Sequence, residues 1–441
     1  MQQKNDNKVA RTSRRRFLAS NGAMAAGIYL AGPASAKAAD TLAMNGGEKA
    51  VTASDSGTTK WPRFSDDERR AVNAVLDSPG YGEVGAFEQD WKEHFKPPYC
   101  KSHMNGTSAL TSALFALNLP KGSEVLVPSL DPWFGILPMR LFGLVPVFVD
   151  SNPRTLNFDL EDAKRRLTKN TRAIEVVHLF GLPCDMEAIC DFAKEKGLVV
   201  LEDCAHAHNA SINGTYVGNW GQIGAFSCQG SKVLPALEGG MGNYENREYY
   251  ERAATFGHYE CPGRFPADSN YKKYGTGLGM KLRIHPMGAA IARCQLRTLD
   301  EQTGMEREQN RALNSRLSQL PGLYEPTVPS GVKRVYWRWN NLFIDPEKAG
   351  MSRDTAIKAL KAEGVAVGRL NYSVSHRDTV YREPQWWHHP PVIPDRLPGL
   401  EEVLEKGISL PRFTEPVPEL IDQYVKAFEK VWAHRKQLGR A

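Results

Sequence analysis

The sequence lacks the features that mark disulfide scaffolds, zinc sites and disordered chains. Its seven cysteines include no C-x-x-C pair, so zinc-ribbon and thioredoxin-like redox motifs have no support. Glycine and proline together make up 66 of the 441 residues, below the share typical of low-complexity or collagen-like chains. No continuous apolar run reaches the roughly 20 residues that span a bilayer. The sequence therefore predicts a folded chain whose cysteines are mainly buried free thiols.

Most of the chain also has little net charge. The formal net charge is +6, and residues 1–36 account for +5 of it. The remaining body is nearly neutral and has no global basic surface of the kind that binds DNA or RNA. The length predicts two or three domains, and the expected partners are small molecules rather than nucleic acids.

The excess positive charge belongs to an N-terminal segment with the pattern of a targeting signal. Arg14 and Arg15 precede a run of small and apolar residues that ends at Ala34-Ser35-Ala36. This pattern resembles a bacterial twin-arginine export signal cleaved after Ala36; a disordered basic tail or an uncleaved anchor are the alternatives. We expect a signal peptide over residues 1–36, a periplasmic protein without a stable membrane span after signal removal, and a flexible linker or surface arm over residues 37–60.

The body of the chain has the pattern of an α/β fold. Between residues 105 and 240, short runs rich in valine and isoleucine alternate with helical patterns, which indicates a mostly parallel sheet covered on both faces. After residue 300, the pattern is that of a smaller α+β unit. We therefore predict a large domain over residues 61–300, with a mostly parallel central sheet, and a small C-terminal domain over residues 301–441.

Three short segments carry groups that suit one cofactor. Gly106, Thr107 and Ser108 begin an amphipathic helix, whose free amides and hydroxyls can bind a phosphate. Asp203 ends a predicted strand, and Lys232 follows another strand 29 residues later. Each feature alone has an ordinary reading as a helix cap, a strand end or a solvated amine. Together they suit pyridoxal 5′-phosphate, which needs phosphate donors, an anion at its pyridine nitrogen and an amine at its aldehyde.

The same segments resemble a known enzyme family. They are similar to the DegT/StrS family of pyridoxal-phosphate-dependent aminotransferases of fold type I, which act mostly on keto-sugars and keto-cyclitols. The sequence motif SKVL…EGG is most similar to that of the family branch that aminates keto-inositols. The matching segments are NGTSAL (105–110), EVLVPS (124–129), PVFVD (146–150), VVHLFGLPCDM (176–186), LEDCAHAHNA (201–210) and GAFSCQGSKVLPALEGG (224–240).

The resemblance implies a role for each matching residue. Lys232 would form the Schiff base with the cofactor, and Asp203 would hold its pyridine nitrogen. His206 would lie near the phenolic oxygen of the cofactor. The phosphate-binding residues that it implies are Gly106, Thr107, Ser108 and Ser227.

Two segments depart from the family pattern. An aromatic ring usually stacks on the cofactor after the VPS strand, directly behind a threonine, whereas here Trp133 follows Pro132. Lys281 stands where the family has an asparagine that reaches the phosphate of a neighbouring subunit. Trp133 is therefore expected to stack on the cofactor, and Lys281 to complete a shared site in a homodimer; an ordinary surface loop is the alternative for Lys281.

The resemblance implies amino transfer in two half-reactions through pyridoxamine phosphate. The donor would be glutamate, glutamine or a similar amino acid, and the acceptor a keto-sugar or keto-cyclitol. Lys232 argues against the dehydrating relatives, which have histidine at that position. Another pyridoxal-phosphate reaction, such as elimination or racemisation, remains open, as does an exported binding protein that retains the fold. The residues that could bind a substrate carboxylate or hydroxyls are Arg338, Arg369 and His376.

Overall fold

Half of the strands in the described residues belong to one seven-stranded sheet. The computed structural model describes residues 41–53 and 57–440, so the predicted signal peptide lies outside the described residues. In chain order the strands are β1 (Tyr99–His103), β2 (Glu124–Pro128), β3 (Val145–Val149), β4 (Thr171–Val177), β5 (Val199–Asp203), β6 (Ser211–Ile212), β7 (Thr215–Tyr216), β8 (Ile223–Ser227), β9 (Gly240–Tyr244), β10 (Leu323–Tyr324), β11 (Val332–Lys333), β12 (Trp339–Ile344), β13 (Gly368–Arg369) and β14 (Gly407–Pro411).

The large sheet has the order β1-β9-β8-β5-β4-β2-β3. Neighbouring strands from β8 to β3 pair in parallel, and β9 pairs antiparallel with both β1 and β8. Strands β2, β3 and β8 are buried along their whole length, because helices cover both faces of the sheet. The predicted fold class, an α/β fold with a mostly parallel central sheet, is confirmed.

Helices alternate with these strands and also lead into the C-terminal part. They are α1 (Asp66–Asp77), α2 (Gly82–Phe95), α3 (Gly106–Leu117), α4 (Trp133–Ile136), α5 (Leu160–Arg165), α6 (Met186–Lys196), α7 (Arg247–Thr255), α8 (Pro286–Leu317), α9 (Pro346–Ala349), α10 (Arg353–Ala362), α11 (Pro398–Lys406), α12 (Pro418–Ala433) and α13 (Arg435–Leu438). None of the helices in the described part of the chain is both long and apolar enough to cross a membrane.

Helix α3 begins beside the ends of strands β8 and β9. Asn105 caps the helix, because its side chain accepts a hydrogen bond from the Ser108 amide. Gly240 lets the backbones approach closely, since a Cβ atom there would lie 2.4 Å from the Asn105 carbonyl oxygen. This contact holds the first turn of α3 at the edge of the sheet where the parallel strands end.

The C-terminal part contains a second, antiparallel sheet with the order β10-β12-β14-β13. Helix α8 runs through residue 300, where the domain boundary is predicted, and ends shortly before this sheet. Helices α10 and α12 pack on the sheet, and a separate apolar cluster forms between them. The domain boundaries themselves stay a prediction.

The segment before α1 differs from the predicted flexible linker. Over residues 41–53, Leu42 and Val51 are buried in the apolar cluster of the C-terminal part. The amides of Ala43 and Ala50 donate hydrogen bonds to the carboxylate of Glu363, at 2.8 and 3.1 Å. Two apolar side chains and a buried acceptor thus fix a segment whose composition indicated mobility.

All seven cysteines lie in the described residues and are free thiols. Five of them are buried and two are half-buried. The prediction of mainly buried, unpaired cysteines is therefore confirmed.

Candidate active site

A cavity of about 510 Å³ lies where strands β5 and β8 end. These strands are hydrogen-bonded neighbours in parallel register, so their last residues face the same edge of the sheet. The space beyond the carboxyl ends of parallel strands is where α/β folds bind ligands. The cavity brings together six residues predicted from the sequence, which are Gly106, Thr107, Asp203, His206, Ser227 and Lys232.

One end of the cavity is suited to an anion. Gly106 and Thr107 form the first turn of α3, and Ser227 ends strand β8. A Cβ atom on Gly106 would lie 2.5 Å from the Ser227 Cβ and 2.9 Å from its Oγ, so glycine is needed for this approach. The first amides of a helix carry partial positive charge and lack partners within the helix. With the hydroxyls of Thr107 and Ser227, they form a cradle of hydrogen-bond donors of the kind that binds a phosphate group.

Asp203 supplies a buried carboxylate deeper in the cavity. Its Oδ1 accepts a hydrogen bond of 2.8 Å from the Ala205 amide. Burial raises the pKa of this carboxyl, whereas the Ala205 amide and the charge of Lys232 lower it. A buried carboxylate favours a cationic partner, such as a protonated ring nitrogen.

Lys232 lies in the loop between β8 and β9. Its amide donates to the Gln229 carbonyl at 2.8 Å, and its carbonyl accepts a hydrogen bond of 2.7 Å from the Trp61 indole. Burial lowers the pKa of the Lys232 amine to about 8, although the charges of Asp203 and Asp131 act to raise it. The uncharged amine, which can act as a nucleophile or base, is therefore far more populated near neutral pH than for an ordinary lysine.

Two aromatic side chains from the C-terminal part complete the wall near Lys232. The Trp337 indole stacks on the His206 imidazole, with 3.6 Å between ring centroids and 9° between planes. The Lys232 Nζ lies 4.4 Å from the centroid of the Trp337 ring. His206 Nε2 lies 3.2 Å from the Tyr372 hydroxyl, and burial lowers the pKa of His206 well below its usual value. His206 is thus a neutral, oriented ring beside the lysine.

The profile of the DegT/DnrJ/EryC1/StrS aminotransferase family matches residues 62–429. The chain belongs to this family. The resemblance seen in the sequence is therefore confirmed, and the protein is a pyridoxal-phosphate-dependent aminotransferase.

The relatives of this aminotransferase include enzymes with different named activities. GDP-perosamine synthase from Escherichia coli O157:H7 is 30% identical over 357 residues, covering 80% of this chain and 92% of that enzyme. L-glutamine:scyllo-inosose aminotransferase from Streptomyces griseus is 30% identical over 439 residues, covering 91% of this chain and 99% of that enzyme. The solved structure of an aminotransferase from Psychrobacter cryohalolentis matches with a TM-score of 0.76 at 26% identity, covering 86% of this chain and 99% of that chain.

The cavity of this aminotransferase fits pyridoxal 5′-phosphate. The cradle at Gly106, Thr107 and Ser227 suits the phosphate, and a Cβ atom on Gly106 would fill it. Asp203 suits the pyridine nitrogen, and Lys232 suits the aldehyde. The residues present therefore match the donor and acceptor groups that the cofactor requires.

Replacing Gly106 with alanine tests the phosphate cradle. Alanine normally favours a helix, but this Cβ atom would push α3 away from Ser227. We expect the affinity of the apoenzyme for pyridoxal phosphate to fall about 10- to 100-fold, because charge-assisted hydrogen bonds to the phosphate would lengthen. A spectroscopic titration of the apoenzyme measures this. Gly85→Ala is the matched control, since its Cβ would meet no atom within 4 Å; equal affinities in both variants would contradict the assignment.

Three predicted site residues do not line the cavity of this aminotransferase. Ser108 is buried behind it, and its amide is already bonded to the Asn105 side chain. Lys281 is exposed, and its contact with a neighbouring subunit stays a prediction.

Trp133, the third of these residues, is 46% exposed and does not line the cavity. Helix α4 begins at Trp133, directly after Pro132. The aromatic ring of α4 that lines the cavity is that of the next residue, Phe134. Stacking of Trp133 on the cofactor therefore stays a prediction, with Phe134 as the ring of this helix that lines the cavity.

No sequence pattern indicated the two acidic residues that lie beside Asp203. Asp131 lines the cavity, and burial raises the pKa of its carboxyl, as do the charges of Asp203 and Glu175. Glu175 is fully buried, and neither of its oxygens has a hydrogen-bond partner among the described residues. Burial, with a smaller effect of Asp203, raises the pKa of Glu175 to about 8. Glu175 therefore carries a proton at neutral pH.

Replacing Glu175 with glutamine tests this protonation through stability. The folded state binds the proton more tightly than the unfolded state, whose carboxyl titrates near 4.5. Wild type should therefore lose stability as pH rises from about 4.5 to about 8, whereas the neutral amide should not. We expect the variant to gain about 5 kcal/mol over wild type between pH 4.5 and pH 8.

The measurement is the free energy of unfolding of the holoenzyme, from urea titrations at several pH values. Glu405→Gln is the matched control, because Glu405 is exposed on α11. Identical pH dependences of wild type and Glu175→Gln would show that Glu175 is ionised in the folded protein.

Proposed function

We propose that this enzyme transfers the amino group of glutamine or glutamate to the ketone of a cyclitol or sugar. The observation that carries the proposal is the cavity in which the Lys232 amine and the Asp203 carboxylate lie with the start of α3. This arrangement would hold the cofactor at three points. The other residues that line the cavity must then recognise the amino donor and the ketone.

When bound, pyridoxal 5′-phosphate supplies an aldehyde carbon that takes up the amino group and a ring that accepts electrons. Asp203 would keep the ring nitrogen protonated by accepting its hydrogen bond. Lys232, uncharged in part near pH 8, would remove the proton from the Cα atom of the donor and return one in the second half-reaction. Trp337 lies against the lysine amine and stacks on His206, so the two rings would form one wall beside the reacting atoms.

The proposed acceptor class rests on a second cavity beside the first. This cavity has a volume of about 460 Å³ and shares Ser231 and Arg338 with the first. Trp61 and Trp339 line it together with polar groups. Aromatic faces pack against the C–H faces of sugars and cyclitols, while hydroxyls need hydrogen-bond partners at the rim. The similarity to an L-glutamine:scyllo-inosose aminotransferase supports a polyhydroxylated ketone as acceptor and glutamine as donor.

A donor screen tests the proposal. The holoenzyme is mixed with L-glutamine, L-glutamate or L-lysine, and the absorbance of the lysine-bound coenzyme is followed. We expect glutamine or glutamate to bleach this absorbance, and subsequent scyllo-inosose to restore it with formation of an amino-inositol. Bleaching without an amino product, or release of an elimination product or the D-amino acid, would contradict amino transfer to a cyclitol.

We propose in addition that residues 1–36 direct export of the folded enzyme to the periplasm and that it acts as a homodimer. The sequence pattern around Arg14 and Arg15 supports the first statement, and the position of Lys281 in the family pattern supports the second. Fractionation of cells that express wild type or the Arg14→Lys, Arg15→Lys variant tests export. Retention of the wild-type enzyme in the cytoplasm would contradict it.

A further inference from the structure

Two indole N–H groups bind the backbone on either side of the Lys232 Cα atom. The Trp337 Nε1 donates to the Ser231 carbonyl at 2.9 Å, in the peptide bond before this atom. The Trp61 Nε1 donates to the Lys232 carbonyl at 2.7 Å, in the peptide bond after it. The Lys232 amide also donates to the Gln229 carbonyl at 2.8 Å. Because peptide bonds are planar, these contacts fix both planes and so set the direction in which the lysine side chain leaves the backbone.

The loop that carries Lys232 does not bind these two carbonyls itself. Other backbone groups of the loop bond to one another across its two arms. The carbonyls of Ser231 and Lys232, in contrast, accept no backbone hydrogen bond from the described residues. Both indoles come from outside the large sheet, since Trp61 precedes α1 and Trp337 precedes β12. The conformation of the loop at Lys232 thus depends on residues that are distant in sequence.

The indole of Trp61 is itself held by a buried ion pair. The Arg412 guanidinium carbon lies 4.2 Å from the centroid of the Trp61 ring. This guanidinium is buried and donates two hydrogen bonds of 2.8 Å to the buried Glu306 carboxylate. Such paired bonds leave the guanidinium little freedom to rotate, so the ring that stacks on it has a defined position. The Thr414 hydroxyl lies 3.0 Å from the Lys60 carbonyl oxygen and holds the backbone directly before Trp61.

The indole of Trp337 contacts the lysine at a second point. The Lys232 Nζ lies 4.4 Å from the centroid of the Trp337 ring, whose other contact is the stacked His206 imidazole. The Trp337 amide donates to the Phe180 carbonyl at 3.4 Å, which ties the tryptophan to the end of strand β4. One indole therefore binds the peptide bond before Lys232 through its N–H group and faces the amine with its ring.

We propose that Trp61 and Trp337 are positioning residues, which place the Lys232 amine for proton transfer by fixing the two peptide bonds beside its Cα atom. The inference rests on the role of Lys232 in the proposed function. The amine lies at the end of four methylene groups, so a small rotation of the backbone moves it by a larger distance. A misplacement of about 1 Å can lower a catalysed rate about 10²-fold. Because both carbonyls are bonded to indoles, the hydrogen bonds should affect this rate rather than the affinity for substrate.

The test removes the N–H group of Trp61 and keeps an aromatic ring. The variants are Trp61→Phe and a protein with 3-benzothienylalanine at position 61, in which sulfur replaces the N–H group. Each holoenzyme is mixed with L-glutamine or L-glutamate, and the absorbance of the lysine-bound coenzyme is followed over a single turnover. We expect both variants to lower the rate at saturating donor about 10-fold, the effect of one lost hydrogen bond, and to leave the KM for the donor within about 2-fold.

Trp220→Phe is the matched control for the loss of an indole N–H group. The Trp220 Nε1 is buried and has no hydrogen-bond partner among the described residues, so this variant should keep the wild-type rate. The double variant Trp61→Phe, Trp337→Phe should lose more than the product of the two single losses, because either indole alone still holds one of the two peptide bonds.

A second readout needs neither cofactor nor substrate. Hydrogen exchange of the apoenzyme, measured by mass spectrometry of peptides over residues 228–239, should be faster in both position-61 variants and unchanged in Trp220→Phe. Wild-type rate and wild-type exchange in both position-61 variants would overturn the inference, even if their free energy of unfolding is lower. An equal loss of rate in Trp220→Phe would also overturn it. Wild type that reacts with neither donor, while hydrogen exchange follows the expected order, would overturn the proposed function alone.

Discussion

Replacing Lys232 with alanine is expected to lower the rate of amino transfer by about 10⁴-fold, the upper range for loss of a positioned general base. The amine lies in the cavity with Asp203, and burial brings its pKa to about 8, where it can give and take a proton. Alanine offers neither an amine for the aldehyde nor a base for the Cα proton. No other lysine lines the cavity in the described part of the chain, so no neighbour can replace it.

Two measurements check this expectation. Single-turnover kinetics with L-glutamine give the rate, and borohydride reduction followed by peptide mass spectrometry locates the trapped coenzyme. Lys194→Ala, at an exposed position of α6, should retain both the rate and the trapped coenzyme. Coenzyme trapped on a different lysine in the wild-type protein would refute the assignment of Lys232.

Replacing Asp203 with asparagine is expected to lower the rate of amino transfer about 10³-fold, as for other preorganised charges in buried sites. Asparagine has nearly the same shape, and its side-chain oxygen can still accept the hydrogen bond from the Ala205 amide. The variant therefore removes the charge and leaves the local structure. Without the anion, the ring nitrogen of the cofactor loses its proton and the ring accepts electrons poorly.

The coenzyme spectrum and the rate of Cα proton exchange check this second expectation. Asp191→Asn, on the exposed side of α6, serves as the control. Asp131 lines the same cavity, so the Asp131→Asn variant is measured in parallel. A near-normal rate in Asp203→Asn, with a large loss in Asp131→Asn, would move the role of ring partner from Asp203 to Asp131.

The sequence was sufficient to predict the parts of the site that are local in the chain. The start of α3, the end of β5 and the loop after β8 each have a recognisable pattern, and parallel strands bring their ends to one edge. Gly106, Asp203 and Lys232 could therefore be placed together before the fold was known. The mostly parallel sheet followed from continuous apolar strands that alternate with helices.

The residues that the sequence did not reveal depend on distant packing. Trp337 meets His206 only because the C-terminal part folds against the end of the large sheet. Glu175 lies within an apolar strand, and a single acidic residue in such a strand does not reveal whether it is buried or protonated. Trp133 and Phe134 differ by one position in a four-residue helix, and periodicity cannot resolve which ring faces inward. These details are set by tertiary contacts rather than by local pattern.

The hydrogen bond from Trp61 to the Lys232 carbonyl has a practical consequence for recombinant work. The family match begins at residue 62, so a gene trimmed to that boundary would omit Trp61, whose indole is hydrogen-bonded to the backbone of the reactive lysine. It would also strip the amides that satisfy the buried carboxylate of Glu363. An expression start chosen from homology alone would thus damage an enzyme that the same homology identifies.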